Sequence, residues 1–108
     1  MRIVAVSEGE TLDSYVAEDF GHAPFILVVD SDTLDYHVID NEFADSPEGA
    51  GVAVAKAITT LEVDSVLTGG IGMHGIQILQ NAGIPVLCTD VHAYPGTAVP
   101  SVVDDCVE

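Results

Sequence analysis

Two kinds of residue in this chain could do chemistry: metal donors of soft or borderline character, and a run of glycines that ends a strand. The donors are four histidines and two cysteines. The glycines lie in Leu67-Thr68-Gly69-Gly70-Ile71-Gly72-Met73-His74-Gly75. Apolar residues around Ser65-Val66-Leu67 feed this turn, and Ile76, Ile78 and Leu79 continue it at helical spacing as far as Ala82-Gly83. A strand, a glycine turn and a helix start make a cradle where backbone N–H groups meet a ligand without intervening side chains. Gly69, Gly70 and Gly72 are therefore the candidate backbone of a site. His74 stands at its mouth, where the positive end of a helix disfavours imidazolium and leaves a neutral imidazole for a metal. The other reading of His74 is a solvent-exposed helix-start residue. Met73 adds a soft thioether, although Met more often serves packing.

Three further donors are candidates. His22 follows Gly21 in a loop, as a metal ligand or as a surface histidine bonded to neighbouring backbone. Cys88 closes the last predicted strand, as a thiolate suited to iron, copper or molybdenum–sulfur centres or as a small buried hydrophobe. His92 lies four residues on, in a loop with Asp90, within reach of the same mouth. His37, between Tyr36 and Val38, reads as structural, and Cys106 belongs to an acidic tail. No Cys-x-x-Cys or His-x-x-x-His spacing supports a structural zinc site. No Lys follows the glycines as in a Walker loop, and no Gly-x-Gly-x-x-Gly follows the first strand, so the pattern argues against a nucleotide site.

The elements that must position these groups follow from hydrophobic periodicity. Ile3–Val6 reads as a buried strand, and Leu12–Val16 as one short helical turn. Pro24–Asp30 is a strand that turns at Ser31-Asp32 into the alternating Leu34–Ile39, an antiparallel hairpin. Ser46 caps and Pro47 opens a helix carrying Val54, Ala55, Ile58 and Leu61. Val63–Thr68, the glycine turn with its helix, and Ile84–Cys88 complete the order β, β, β, α, β, α, β. This predicts an α/β fold with a mixed five-stranded sheet whose first, fourth and fifth strands are parallel and central. Ligands in such sheets sit beyond the carboxyl ends of the strands, which would gather Ser7–Gly9, the Gly69 loop and the segment after Cys88.

A length of 108 residues allows one domain with one modest core, and a single domain over 1–108 is expected. It carries 2 Lys+Arg against 18 Asp+Glu, a net charge of −16, which argues against binding nucleic acid or an anionic membrane surface. The acidic residues Asp30, Asp32, Asp35, Asp40 and Glu42 on the hairpin, and Asp104, Asp105 and Glu108 on the tail, are expected away from the cradle. The apolar start is too short for a secretory signal and no run reaches membrane-spanning length, so a reducing cytoplasm with both thiols available is expected.

Four segments, in order and at consistent spacing, carry a resemblance: Asp19-Phe20-Gly21-His22-Ala23-Pro24-Phe25, Gly49-Ala50-Gly51, Gly69-Gly70-Ile71-Gly72 with Leu79, and Ala82-Gly83-Ile84-Pro85-Val86. Over residues 3–88 the chain resembles the dinitrogenase iron–molybdenum cofactor biosynthesis family. The resemblance implies a three-layer α/β/α, ribonuclease-H-like fold. It further implies a non-catalytic carrier of a metal–sulfur cluster containing iron and/or molybdenum, a molybdenum–copper sulfide included. Taken with the residue chemistry above, the candidate contacts are Phe20, Gly21, the glycine loop, Met73 and His74, with His22, His74, His92 and Cys88 toward metal. Proteins that donate or accept the cofactor are the implied partners. Relatives often place a His before the Phe-Gly, where this chain has Asp19, and a C-terminal helix where this chain has a short tail containing Pro100.

A second reading is an acidic regulatory or interaction domain without cofactor, partnering a P-loop ATPase of the cluster-assembly type. A nuclease-like hydrolase would need carboxylates converging on two divalent ions, and the fourth strand ends in Thr68-Gly69 with no acid.

Overall fold

The computed structural model describes residues 1–88. Seven elements follow in chain order: β1 (Arg2–Ser7), β2 (Phe25–Asp30), β3 (Tyr36–Asp40), α1 (Ala50–Thr59), β4 (Ser65–Thr68), α2 (Met73–Asn81) and β5 (Val86–Cys88). The five strands form one sheet in the order β3-β2-β1-β4-β5. β1 runs antiparallel to β2, and β2 antiparallel to β3. β1, β4 and β5 are mutually parallel. This is the mixed α/β sheet that the periodicity predicts, with one correction: β5 is parallel to β4 but forms the edge of the sheet and is not central.

The core explains why these segments are strands and helices. On one face of the sheet Val4, Val6, Ile26, Val28 and Val66 pack with Val54 and Ile58 of α1 and Leu79 of α2. Alternation sends Ala5 and Leu67 to the other face, where Val16 joins them. Val4, Ala5 and Val6 are all at most 1% exposed, so the central strand is buried on both faces; both described helices pack on one of them, and the Val16 segment, not a helix, meets the other. Each fully buried Val, Leu or Ile contributes about 1.5–3 kcal/mol relative to exposure.

Several boundaries differ from expectation for local reasons. The Leu12–Val16 stretch is a turn and not a helix: Thr11 and Ser14 hydroxyls bond each other at 3.3 Å, and the Ser14 amide bonds the Thr11 carbonyl. Such local side-chain bonds compete with helix. Helix α1 starts at Ala50, three residues after Pro47. Gly49 is its N-cap, in the left-handed region at φ 73°, and Ser46 is occupied elsewhere. β4 and β5 are shorter than predicted, β5 starting only after Pro85, which has no N–H to donate. The tail from Gly96 lies outside the described residues. Among the described residues no helix is long and apolar enough to cross a membrane.

Candidate functional site

The strand registers gather the candidate residues at one end of the sheet. Ser7, the last residue of β1, pairs with Phe25, the first of β2, and Phe25 pairs with Asp40, the last of β3. The loop Asp19–Pro24 therefore lies at the same end as the turn after β4. The β1–β4 pairing closes at Ala5–Leu67, where Ala17 inserts between the two strand ends. Its amide donates to the Val6 carbonyl at 2.9 Å, and its carbonyl accepts the Gly69 amide at 2.9 Å. The Phe20 amide donates to the Gly70 carbonyl at 3.1 Å, and Thr68 Oγ1 donates to the same carbonyl at 3.0 Å.

This wedge fills the crevice between β1 and β4 and moves the open ground onto α2. Ser7 is fully buried, its hydroxyl donating to the Gly9 carbonyl at 2.8 Å, so it faces no ligand. Gly69 serves the wedge: a Cβ there would lie 2.8 Å from the Ala17 carbonyl oxygen. Gly72 is different. Its backbone is extended (φ −72°, ψ 157°), and a Cβ would meet nothing within 4 Å. Open space thus begins at Gly72, the N-cap of α2.

The two helix starts converge here. A Cβ on Gly21 would lie 2.5 Å from the Gly51 amide nitrogen, and one on Gly75 would lie 3.4 Å from the Gly51 carbonyl oxygen. Gly21, Gly51 and Gly75 thus let the Phe20 loop and both helices approach backbone to backbone. Neither helix has a side-chain cap, and neither carries an acid in its first turn. Acids are favoured at that position and this chain has 18 of them. Met73 (58% exposed) and His74 stand free at the rim of α2. Gly75 is buried, and the first N–H groups of the helix have no intrahelical acceptor.

His22 is held otherwise than expected. Its Nδ1 lies 2.9 Å from Asp19 Oδ2, and its Nε2 lies 3.0 Å from the Ser46 carbonyl oxygen. Both partners are acceptors, so the doubly protonated ring, donating from both nitrogens, is the form this arrangement favours. The hydrogen bond to Asp19, then that to Ser46, raises the His22 pKa above the usual histidine value. Burial works against ionisation of Asp19. The hydrogen bonds from the His22 ring and the Gly21 amide outweigh it and hold the carboxyl below the usual aspartate range. In this arrangement His22 presents no lone pair to a metal.

The remaining candidates divide. Phe20 is 1% exposed and belongs to the core, so it anchors the loop and does not line an open surface. Cys88 ends β5 beside Thr68, 4% exposed, and its sulfur is disulfide-bonded. That corrects the expectation of two available thiols and withholds a thiolate in this state. His37 is exposed on β3. His92 and Cys106 lie outside the described residues. Among the described residues no three His, Cys, Asp or Glu side chains group as a metal-ion site.

The acidic residues are only partly cleared from the site. Asp30, Asp32 and Asp35 lie at the far end of the hairpin, and Asp40 and Glu42 at the near end. Asp40 ends the edge strand, three strand spacings or about 14 Å from β4 and beyond a Debye length at physiological salt, and Glu42 follows it in the next turn. Sequence reasoning missed Asp19, whose spacing to His22 (i, i+3) is its one signal, and Asn41. The Asn41 amide nitrogen donates to the carbonyls of Gly21 (3.0 Å) and Ala23 (2.8 Å), a contact that no local pattern encodes.

The family model for the dinitrogenase iron-molybdenum cofactor matches residues 1–106. The chain belongs to the dinitrogenase iron-molybdenum cofactor family. Similar solved structures share its fold. The apo form of the orange protein from Desulfovibrio gigas is 29% identical, with a TM-score of 0.87 over 99% of this chain and 96% of that one. The protein PH0822 is 25% identical, with a TM-score of 0.71 over 89% and 84%. A putative NifB protein from Thermotoga, at 24% identity over 85% and 78%, shares the fold with a TM-score of 0.71. No curated protein matches the chain. For a member of the iron-molybdenum cofactor family, the glycine turn, His74 and the Phe-Gly loop fall at one end of one sheet.

Proposed function

We propose that this protein is a non-catalytic carrier of a metal–sulfur cluster containing iron and/or molybdenum, copper included as a possible second metal, and that the cluster is its cargo. The cargo rests against the start of α2. The open N–H groups there face its anionic sulfides, and His74 supplies a ligand with Met73 beside it. Gly72 keeps the approach free of side chains. The Asp19–His22 pair fixes the Phe20-Gly21 loop as the wall of the site, with the imidazolium adding one positive charge. Ligation by His22 itself would require its release from Asp19 or Ser46. His92 is kept as a candidate second ligand. The partners are the proteins that hand over and take up the cluster.

One observation carries this reading. In a chain of net charge −16, the uncapped start of α2 has open space at Gly72 and no acid in its first turn. An anion finds donors there and no carboxylate in the first turn of the helix, the nearest acids being those of the Glu18-Asp19 loop, where Asp19 is engaged by His22. A carrier must also release its cargo, which favours one or two ligands plus backbone contacts over a closed cage.

The test is purification without oxygen from a host that makes such clusters, for the wild type and His74→Ala. Retention of metal and sulfide by the wild type, with loss in the variant, supports the reading. Equal retention by both removes His74 from the site.

A further inference from the structure

A second surface has a shape and charge that the cargo site does not use. Between the edge strand β3 and helix α1 runs a groove of about 270 Å³. Its floor is apolar, formed in part by Ile39, Phe43 and Ala57, and its rim carries Asp40 and Glu42. Ile39 and Phe43 are half-buried while Ala57, Asp40 and Glu42 are exposed, so the apolar floor opens to solvent between carboxylates. The volume falls below the range of about 300–1,000 Å³ usual for small-molecule sites and suits one large anchoring side chain. Among the described residues no cation lines the groove, Lys56 on α1 being the nearest in sequence, and the chain offers only 2 Lys+Arg in all against 18 acids.

We infer that this groove is a docking site for a partner protein that inserts one bulky apolar side chain flanked by Lys or Arg. Charge complementarity selects the occupant. Apolar burial supplies the anchor, while the acidic rim and the net charge of −16 steer a basic segment and repel an acidic one, a second copy of this chain included. The groove also touches the cargo end of the sheet. Asn41 lines it, is 8% exposed, and holds the Gly21 and Ala23 carbonyls of the loop that carries His22. A segment seated in the groove therefore lies one residue away from the wall of the cargo site. The inference does not depend on which cluster is carried, or on whether one is.

The test is a titration of the ¹⁵N-labelled full chain with a short synthetic peptide, one Phe flanked by Lys and Arg, followed by amide shifts. Two control peptides keep the charge but replace Phe by Ser, or keep Phe but replace the cations by Glu. The expected result is saturable shifts centred on Ile39, Phe43 and Ala57, extending to Gly21 and Ala23, for the first peptide alone. Ala57→Arg is expected to weaken binding at least tenfold. The charge-matched control Thr33→Arg, on the distant hairpin turn, is expected to change it less than threefold. Shifts spread evenly over the acidic surface, equal binding of the Ser or Glu peptides, equal effects of the two Arg substitutions, or no binding would each overturn the inference.

Discussion

His22 is clamped by Asp19, with Nδ1 2.9 Å from Oδ2 while Nε2 meets the Ser46 carbonyl at 3.0 Å. The pair joins the loop after the Ala17 wedge to the segment that precedes α1. It takes the histidine away from the ligand role that its position beside Gly21 suggests. The same carboxylate accepts the Gly21 amide at 3.0 Å and the His22 amide at 3.4 Å, so Asp19 organises the whole turn.

The clamp predicts a pH window. His22 has a raised pKa, so its contribution is full below the unfolded value of about 6.5 and is lost as pH rises through the folded value. Asp19 has a lowered pKa, so its contribution is present above the unfolded value of about 3.9 and is lost as pH falls through the folded one. The turn is therefore tightest between those limits. An NMR titration of the His22 ring should give a midpoint above that of a free histidine. Asp19→Asn should lower that midpoint, and an unchanged midpoint would contradict the clamp.

Gly69 should not tolerate a side chain. A Cβ would sit 2.8 Å from both the Ala17 carbonyl oxygen and the Glu18 Cα. Both are backbone atoms that cannot swing away. Gly69→Ala should lower stability by about 1–3 kcal/mol in denaturant unfolding, through overpacking. Gly72→Ala meets nothing and has an ordinary backbone, so it should stay within about 0.5 kcal/mol of wild type. Equal effects at the two glycines would contradict their separate roles.

The glycine run announced a turn, yet its three glycines look alike in sequence. Which one meets backbone and which one meets open space depends on Ala17, some fifty residues earlier in the chain, and no local pattern carries that contact. The sheet was legible because its strands are short apolar runs bounded by turn residues, and the two-residue alternation of β1 survives in the buried faces. The start of α1 was not, because Ser46-Pro47 has the local signature of a cap while its carbonyl is drawn to His22. The histidine pattern gave candidate ligands without showing that Asp19 had already claimed one of them.

The core predicts where stability resides. Ile58 is fully buried between α1 and the sheet, and Leu79 is fully buried on α2. Ile58→Ala and Leu79→Ala should each lower unfolding free energy by about 2–5 kcal/mol, with a cavity left behind. The exposed His74 should behave otherwise. His74→Ala should leave stability within about 0.5 kcal/mol and act on the cargo alone. A large stability loss in His74→Ala would make it a structural residue.

The central claim is tested most directly by analysis of metal and acid-labile sulfide, with a visible spectrum, on protein purified strictly without oxygen from its native host. The account predicts a coloured protein holding iron, molybdenum or copper together with sulfide in stoichiometric amounts, and a colourless His74→Ala variant prepared in parallel. A wild-type protein from that source with neither metal nor sulfide, and unable to take up a cluster offered to it, would contradict the account and leave a domain that acts through its acidic surface.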